Sequence, residues 1–300
     1  MTGRHEVFTH ELETPADPAR AVVLGGRGFI GRALVAALEA AGIATEAPAR
    51  AELDLAADGA AERLASMLRP TDSVVVLAAL TPDRGQGREP FMRNLAIGAN
   101  VCAALERVPP THVVYVSSDA VYPLDDGLVS EASGPHPTSL YGMMHLSREL
   151  MLRTSTQAPV AVLRPTLVYG AADPHNSYGP NRFRRAAERE GRIVLFGEGE
   201  EHRDHVLVDD LVTVARLTLC HRSRGTLNVA TGHSITYADL ARKVAALHPA
   251  PVEIVRTPRQ SPITHRHFDV SELRRAFPRC RFTPLETGLA RAHRELHGLG

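Results

Sequence analysis

The chain has 300 residues, of which 44% are hydrophobic and 23% charged, as in globular proteins and unlike disordered or collagen-like chains. Basic and acidic residues number 34 each, so the formal net charge is zero, and no basic excess predicts a nucleic-acid partner. The longest wholly apolar run, residues 74–80, is too short to span a membrane, and residues 1–20 lack the apolar stretch of a secretory signal, so we expect a cytoplasmic protein with no membrane partner.

Residues 1–20 are polar and rich in proline and acidic side chains, which predicts an N-terminal extension or loosely docked arm. From residue 21 to residue 170, short β-branched strands alternate with segments of strong helix formers. This alternation is typical of βαβ units and predicts an α/β fold, a Rossmann-type doubly wound parallel sheet. The predicted strands are residues 21–24, 73–79, 111–117 and 160–163, with a weaker one before Pro48, and the predicted helices are residues 32–41, 57–68, 90–108 and 141–154.

After Gly170 the pattern changes to shorter elements. Residues 171–181 are rich in Pro, Gly and Asn and predict a loop. Helices are predicted at residues 182–190, 209–220 and 237–247, and strands at residues 192–196, 226–229 and 252–255. We therefore predict a smaller mixed α/β C-terminal substrate lobe over residues 171–300, with some elements shared with the first sheet.

A glycine-rich turn, GGRGFIG, follows the first predicted strand and precedes a predicted helix. A tight turn uses residues that tolerate positive φ, and a diphosphate approaches bare backbone at a helix N-terminus. This context predicts a dinucleotide-binding domain over residues 21–170. The residues expected at the cofactor are Gly25, Arg27, Gly28, Phe29 and Ile30, with Gly31 completing the pattern.

The end of the second predicted strand favours NADP over NAD. In dinucleotide folds an acidic residue here holds the adenosine ribose, whereas an arginine accommodates a 2′-phosphate. Ala49 stands where the acid is expected, Arg50 follows it, and Arg27 lies within the glycine turn. Glu46 takes the acidic role if the strand register differs, so NAD stays open as the cofactor.

Six further motifs follow the glycine turn along the chain. They are Asp54 with Leu55, Ala78 with Ala79, Asn94 with Asn100, YVSSDAVY at residues 115–122, RPTLVYG at residues 164–170 and GEGEEHRDHVLVDD at residues 197–210. Together the motifs resemble the extended short-chain dehydrogenase/reductase superfamily, and within it the NAD(P)-dependent epimerase/dehydratase family of nucleotide-sugar enzymes. The resemblance covers residues 21–288, and Leu24 stands where that family usually has threonine.

The resemblance implies roles for these residues. Cofactor contacts are implied for Asp54, Leu55, Ala78, Ala79, Asn94 and Pro165. Substrate contacts are implied for Ser118, Asp119, Tyr169 and Arg203, and the arginine typically meets the diphosphate of a nucleotide sugar. A homodimer through two long helices of each subunit is usual in the family.

Ser118 and Tyr141 are the expected catalytic pair, because Ser118 ends a strand and Tyr141 opens a helix 23 positions later. A phenol has an ordinary pKa of about 10, so it is a poor base at neutral pH unless it is acidified. The family uses a lysine four residues after the tyrosine, which also binds the nicotinamide ribose. Here that position is His145, and the only lysine of the chain is Lys243.

Two interpretations of His145 stay open. In one, Ser118 and Tyr141 remain active, and His145 substitutes in part for lysine by binding the ribose. In the other, the protein binds the cofactor but is catalytically weak, as a non-enzymatic NADP-binding sensor would be. The presence of both hydroxyls beside an intact glycine turn favours the first.

The residues after Ser118 narrow the reaction. Dehydratases of the family place an Asp-Glu pair there, whereas this chain has Asp119 and then Ala120. Asp119 alone fits an NADPH-dependent 4-ketoreductase, in which it orients a sugar hydroxyl. A nucleotide-sugar 4-epimerase is the alternative, and a third hypothesis keeps the oxidoreductase chemistry on a small carbonyl compound.

No metal site is expected. The three cysteines lie far apart, without a CxxC pair. His202 with His205, and His265 with His267, have spacings that metal ligands use, but arginines separate the imidazoles. The resemblance also implies chemistry that uses no metal.

Overall fold

The computed structural model describes residues 7–82, 85, 87–124 and 127–298. Its strands are β1 (Thr9–His10), β2 (Ala21–Leu24), β3 (Thr45–Glu46), β4 (Ser73–Val76), β5 (His112–Val116), β6 (Leu128–Val129), β7 (Val160–Pro165), β8 (Leu167–Tyr169), β9 (Arg192–Phe196), β10 (His202–Arg203), β11 (His205–Leu207), β12 (Ser223–Val229), β13 (Ile235–Thr236), β14 (Glu253–Thr257) and β15 (His267–Phe268). Its helices are α1 (Phe29–Ala40), α2 (Ala60–Met67), α3 (Arg88–Arg107), α4 (Leu140–Thr154), α5 (Pro180–Glu190), α6 (Val208–Cys220), α7 (Tyr237–Ala245), α8 (Ser271–Ala276) and α9 (Leu285–Leu296).

A seven-stranded sheet forms the centre, in the order β1-β12-β7-β5-β4-β2-β3. Every neighbouring pair is parallel except β1 with β12. The chain order reverses at β2, which lies between β3 and β4. In open α/β sheets this reversal leaves a crevice at the carboxyl ends of the strands, where ligands bind. The predicted Rossmann-type doubly wound sheet is confirmed.

Helices cover both faces of this sheet, which explains why its central strands are continuous apolar runs. One face of the sheet, with Val23, Val75 and Val114, packs against α1 and α6. The other face packs against α2, α3 and α4. Successive residues of a strand point to opposite faces, so every position of β2, β4 and β5 is buried.

The chain after Gly170 contributes to two cores. Phe183 of α5, Leu195 of β9, Leu240 of α7 and Leu289 of α9 form a separate cluster, the C-terminal lobe, in which β9 pairs with β14. In contrast, α6, β12 and α8 pack into the core of the first sheet. The helix α9 has no counterpart among the elements expected from the sequence.

The N-terminal segment is docked more tightly than a loose arm. Thr9 and His10 pair antiparallel with β12, and Phe8 is fully buried against Phe277. Residues 1–6 of the expected extension lie outside the described residues. Within the part of the chain that the structure describes, no helix is long and apolar enough to cross a membrane.

Candidate active site

The glycine turn lies at the crevice beside β2. Gly25 has a φ of +92°, and a Cβ there would come within 2.7 Å of the backbone nitrogen of Ala78. A Cβ at Gly31 would overlap the carbonyl oxygen of Gly25. Helix α1 begins directly after Gly28, so bare backbone faces the crevice at a helix N-terminus, where a diphosphate is bound favourably.

The other cofactor-binding candidates differ in their contacts and burial. Asn94 is buried, and its amide side chain bonds both the N–H (2.8 Å) and the carbonyl (2.9 Å) of Leu80, so it holds the segment that follows Ala78 and Ala79. The Phe29 ring packs against Gly170. Among the other candidates, Leu55 and Pro165 are buried, Ile30 is half-buried, and Arg27 is exposed.

Two arginines surround Asp54 shortly after β3. Arg50 Nη2 lies 3.1 Å and Arg93 Nη2 lies 3.3 Å from the Asp54 carboxylate. The backbone N–H of Ala56, together with these guanidinium groups, lowers the pKa of Asp54. Glu46 lies within β3, opposite Val22, and its charge acts on Arg20, ahead of β2. The structure therefore places arginine rather than Glu46 beyond the carboxyl end of β3.

The packing of α4 brings its first turn, which contains Tyr141, against the segment that follows Ser118. A Cβ at Gly142 would overlap the carbonyl oxygen of Ala120, so the first turn of α4 touches the turn that follows Ser118. The Ser118 hydroxyl oxygen accepts the N–H of Ala120 at 3.1 Å, which fixes its position at the carboxyl end of β5. Ser139 caps α4 by accepting the N–H of Gly142.

Asp119 is held by residues that the sequence analysis did not identify. Its carboxylate lies 3.3 Å from Arg266 Nη1 and 3.4 Å from the Thr166 hydroxyl. Arg266 also donates to the carbonyls of Asp119, Tyr122 and Pro123. Burial raises the pKa of Asp119, and Arg266 opposes that rise. In the sequence, Arg266 lies between His265 and His267, and this segment was considered only as a possible metal-binding motif.

Arg203 and Tyr169 have different surroundings. The Arg203 guanidinium bonds the carbonyls of His202 (2.8 Å) and Thr264 (2.7 Å) and lies over the Tyr237 ring. Its charge also opposes the rise in the pKa of Asp119 that burial causes.

Tyr169 is buried in the C-terminal lobe with its hydroxyl against Gly288 of α9, so the structure does not bring it together with Ser118 and Tyr141.

His145 is buried within α4, with 2% of its surface exposed. Its Nδ1 lies 2.6 Å from the Tyr115 hydroxyl, and its ring meets the Tyr141 ring edge to face at 4.6 Å. Its Nε2 is buried without a partner among the described residues. Burial, followed by repulsion from Arg148, lowers the pKa of His145 to about 3. His145 is therefore neutral at physiological pH and adds no positive charge beside Tyr141.

A cavity of about 330 Å³ opens next to Tyr141. Its lining is largely apolar and comes from the segment after β4 and from the first turns of α3 and α4, including Leu80, Phe91, Leu140 and Met144. Among the described residues no three His, Cys, Asp or Glu side chains are placed to hold a metal ion. Among the described residues, the polar side chains of the cavity lining are Asn94, Ser139 and Tyr141.

Comparison with known proteins agrees with this geometry. A family model described as the NAD dependent epimerase/dehydratase family matches residues 21–230. The chain belongs to this family. A dTDP-L-rhamnose 4-epimerase of Burkholderia thailandensis is 31% identical over 152 residues. That match covers 48% of this chain and 42% of the epimerase, so the chain spans less than half of that relative's length in the match.

Two solved structures show the family's fold over nearly the whole chain. A GDP-L-fucose synthetase of Naegleria fowleri bound to NADP aligns with a TM-score of 0.81 and 16% identity, over 97% of this chain and 96% of that one. A UDP-glucose 4-epimerase of Thermus thermophilus in complex with NAD aligns with a TM-score of 0.82 and 23% identity, over 94% and 100%.

The residues of this chain fit the nicotinamide dinucleotide on which the epimerase/dehydratase family depends. Gly25 and Gly31 leave a cradle in which a Cβ would collide with backbone. The buried Nε2 of His145 lacks a partner among the described residues, as expected of a group that bonds a ligand. The glycine turn would hold the diphosphate, and His145 the nicotinamide ribose.

Proposed function

We propose that this protein is an NADPH-dependent ketoreductase that acts on a 4-keto nucleotide-linked sugar. The observation that supports this most directly is the contact between the first turn of α4 and the segment after Ser118, which favours a common site for Ser118, Asp119 and Tyr141. A serine hydroxyl and a phenol that converge beside a nicotinamide site are suited to a carbonyl or carbinol substrate.

The chain's own residues supply the acid and the orienting groups. The Ser118 oxygen accepts the N–H of Ala120, and its hydroxyl donates to Asp119 Oδ1 over 3.5 Å, a long bond that a hydrogen bond to the substrate carbonyl oxygen would replace. Tyr141 gives its phenolic proton to that oxygen as the C=O π bond breaks, and the phenolate is then reprotonated from solvent. When bound, NADPH supplies the hydride that forms the new C–H bond. Asp119, held by Arg266, orients a neighbouring sugar hydroxyl.

NADPH is favoured by the arginines around Asp54. The guanidinium groups of Arg50 and Arg93 both pair with Asp54, shortly after β3, and guanidinium groups bind phosphate well. NADPH is the reduced form of the cofactor, and its use agrees with an enzyme whose overall reaction is a reduction. The absence of an acid at Ala120 speaks against a 4,6-dehydratase.

A nucleotide-linked substrate is supported by the positive charge of Arg203. Arg203 lies within electrostatic reach of Asp119, and its position in the motif at residues 197–210 is the one at which the family meets a diphosphate.

We also propose a homodimer through α3 and α4, because α4 exposes Leu140, Met143 and Leu150.

Two other functions keep specific support. The likeness to a rhamnose 4-epimerase favours an epimerase that returns its hydride to the substrate. The neutral state of His145 favours a weakly active NADP-binding sensor.

The test is a panel of dTDP-, UDP-, GDP- and CDP-linked sugars in 4-keto and 4-hydroxy forms. A reductase consumes NADPH, measured by absorbance, with one or more 4-keto sugars. An epimerase interconverts 4-hydroxy sugars without net cofactor consumption, and a sensor binds NADPH but converts none of them. Either of the last two results would contradict the proposal.

Within that panel, Tyr141→Phe and Ser118→Ala test the catalytic assignment. Each should lower kcat by about 10²- to 10⁴-fold, the range for loss of a general acid, while NADPH still binds. A Thr213→Ala variant, on the exposed side of α6, should keep the wild-type kcat. Wild-type turnover by the Tyr141→Phe variant would remove Tyr141 from the mechanism.

A further inference from the structure

The cation nearest to His145 on its own helix is Arg148, one turn along α4. Arg148 is fully buried, and α3 makes room for it at Gly98. Its Nη1 contacts Met144 Sδ at 3.8 Å, whereas Nε and Nη2 have no partner among the described residues. The neighbouring Glu149 carboxylate is already bonded to Arg164 and Ser117. A buried guanidinium without a carboxylate is costly, so its retention calls for an explanation.

Arg148 reaches His145 through Tyr115. The Arg148 guanidinium carbon lies 5.1 Å from the centre of the Tyr115 ring, over its face. The Tyr115 hydroxyl lies 2.6 Å from His145 Nδ1, and the His145 ring touches Tyr141. Arg148, Tyr115, His145 and Tyr141 therefore form one continuous cluster, which we call the α4 relay cluster.

The number of unpaired hydrogen-bonding groups in the α4 relay cluster favours one tautomer of His145. If the Tyr115 hydroxyl donates to Nδ1, the imidazole hydrogen is on Nε2 and a single group, Nε2–H, is left without a partner. If Nδ1–H donates instead, both the phenolic hydrogen and the Nε2 lone pair are left unpaired among the described residues. A buried unpaired polar group costs about 1–3 kcal/mol, so the first arrangement is favoured.

The charges that face His145 select its protonation state. Arg148 repels a second proton on the imidazole, and two phenols, Tyr115 and Tyr141, are the other titratable groups in the cluster. The nearby Glu149 carboxylate is compensated by Arg164. Burial, followed by the repulsion from Arg148, keeps the imidazole neutral.

We propose that Tyr115 and Arg148 are positioning residues that fix His145 as a neutral Nε2–H donor for the nicotinamide ribose. This inference rests on the proposed function only for the cofactor. It assigns to three residues the ribose-binding role that the family gives to one lysine. A lysine at position 145 would place a second buried cation beside Arg148, whereas a neutral imidazole does not.

The first experiment compares Tyr115→Phe with Tyr122→Phe. Both remove a buried phenolic hydroxyl, but that of Tyr122 bonds Asn228 and Arg164 and not His145. Histidine ¹⁵N NMR, with the His145 signals identified by their loss in His145→Gln, reports the tautomer without cofactor. We expect Nε2–H at pH 7 in the wild type and in Tyr122→Phe, and a mixture of tautomers in Tyr115→Phe.

NADPH affinity, measured by fluorescence without substrate, should follow the tautomer. The NADPH dissociation constant should rise about fivefold in Tyr115→Phe, the effect of one hydrogen bond, and stay within about twofold in Tyr122→Phe. An unchanged tautomer and an unchanged dissociation constant in Tyr115→Phe would overturn the inference, as would a cationic or Nδ1–H imidazole in the wild type.

The second experiment tests Arg148 through a double substitution. His145→Lys alone should weaken NADPH binding by about tenfold, because a buried ammonium meets a buried guanidinium. His145→Lys combined with Arg148→Met should regain the affinity. Wild-type affinity in the single His145→Lys variant would overturn the role of Arg148. If these binding results hold and no 4-keto nucleotide sugar is reduced, the proposed function fails while the inference stands.

Discussion

Asp54 forms ion pairs with both Arg50 and Arg93, and the proposed preference for NADPH depends on these two arginines. Its carboxylate holds the two guanidinium groups shortly after β3. The prediction is that Arg50→Ala raises the NADPH dissociation constant about tenfold and leaves that of NADH almost unchanged, because only NADPH carries the 2′-phosphate. Charge-assisted hydrogen bonds contribute about 1.5–3 kcal/mol, enough for this change.

Both dissociation constants are measured by nicotinamide fluorescence. Arg63→Ala is the matched control, since Arg63 is an exposed arginine on α2, and it should leave both constants unchanged. Equal weakening of NADPH and NADH by Arg50→Ala would mean that Arg50 does not contact a 2′-phosphate.

At the scale of single residues, local spacing was enough to predict where Ser118 and Tyr141 lie. Ser118 lies two residues after β5 and Tyr141 is the second residue of α4, and loops at the carboxyl edge of a parallel sheet commonly carry the site. The environment of His145 was not predictable in this way. Its neutrality depends on burial and on Arg148, and its hydrogen-bond partner Tyr115 lies 30 positions away on β5. Arg266, 147 positions from Asp119, was missed for the same reason.

At the scale of elements, long periodic segments were predicted well and short ones were not. The buried strands β2, β4, β5 and β7 and the helices α3 and α4 lie within a few residues of their predicted positions. Strands such as β6, β10 and β13 have two residues each, too few for any periodicity. Their pairing is set by tertiary contacts, which local patterns do not contain.

Helix α4 gives the second prediction of this Discussion. It buries His145 and Arg148 on one side and exposes Leu140, Met143 and Leu150 on another. These three positions lie at intervals of three and seven residues and so share a helix face. If that face forms the proposed homodimer, Leu150→Glu should convert the dimer to a monomer, because a carboxylate would be buried without a partner.

Light scattering coupled to size-exclusion chromatography measures the mass of each variant. Leu296→Glu is the control, since Leu296 is an exposed leucine on α9, and its mass should equal that of the wild type. A Leu150→Glu variant that keeps the dimeric mass would place the interface elsewhere.

At the scale of the whole molecule, the distribution of buried histidines couples folding to pH. His112 of β5 bonds the Ser223 carbonyl through Nε2, and since a carbonyl only accepts, that nitrogen carries the hydrogen. His205 of β11 has neither ring nitrogen bonded among the described residues. Burial lowers the pKa of His112 to about 4 and that of His205 to about 3, as it does for His145.

Acid should therefore destabilise the protein at pH values where most carboxylates are still ionised. The unfolded chain binds a proton at each of His112, His145 and His205 below about pH 6.5, whereas the folded chain does not, so stability is lost as the pH falls from about 6.5 towards 5. Each site contributes up to about 1.4 kcal/mol per pH unit, or about 4 kcal/mol per pH unit for the three together. Urea unfolding across this range measures the slope. His205→Phe should reduce the slope by up to about 1.4 kcal/mol per pH unit, and His136→Gln, at an exposed histidine, is the control; equal slopes in the wild type and His205→Phe would show that His205 is not neutral in the folded state.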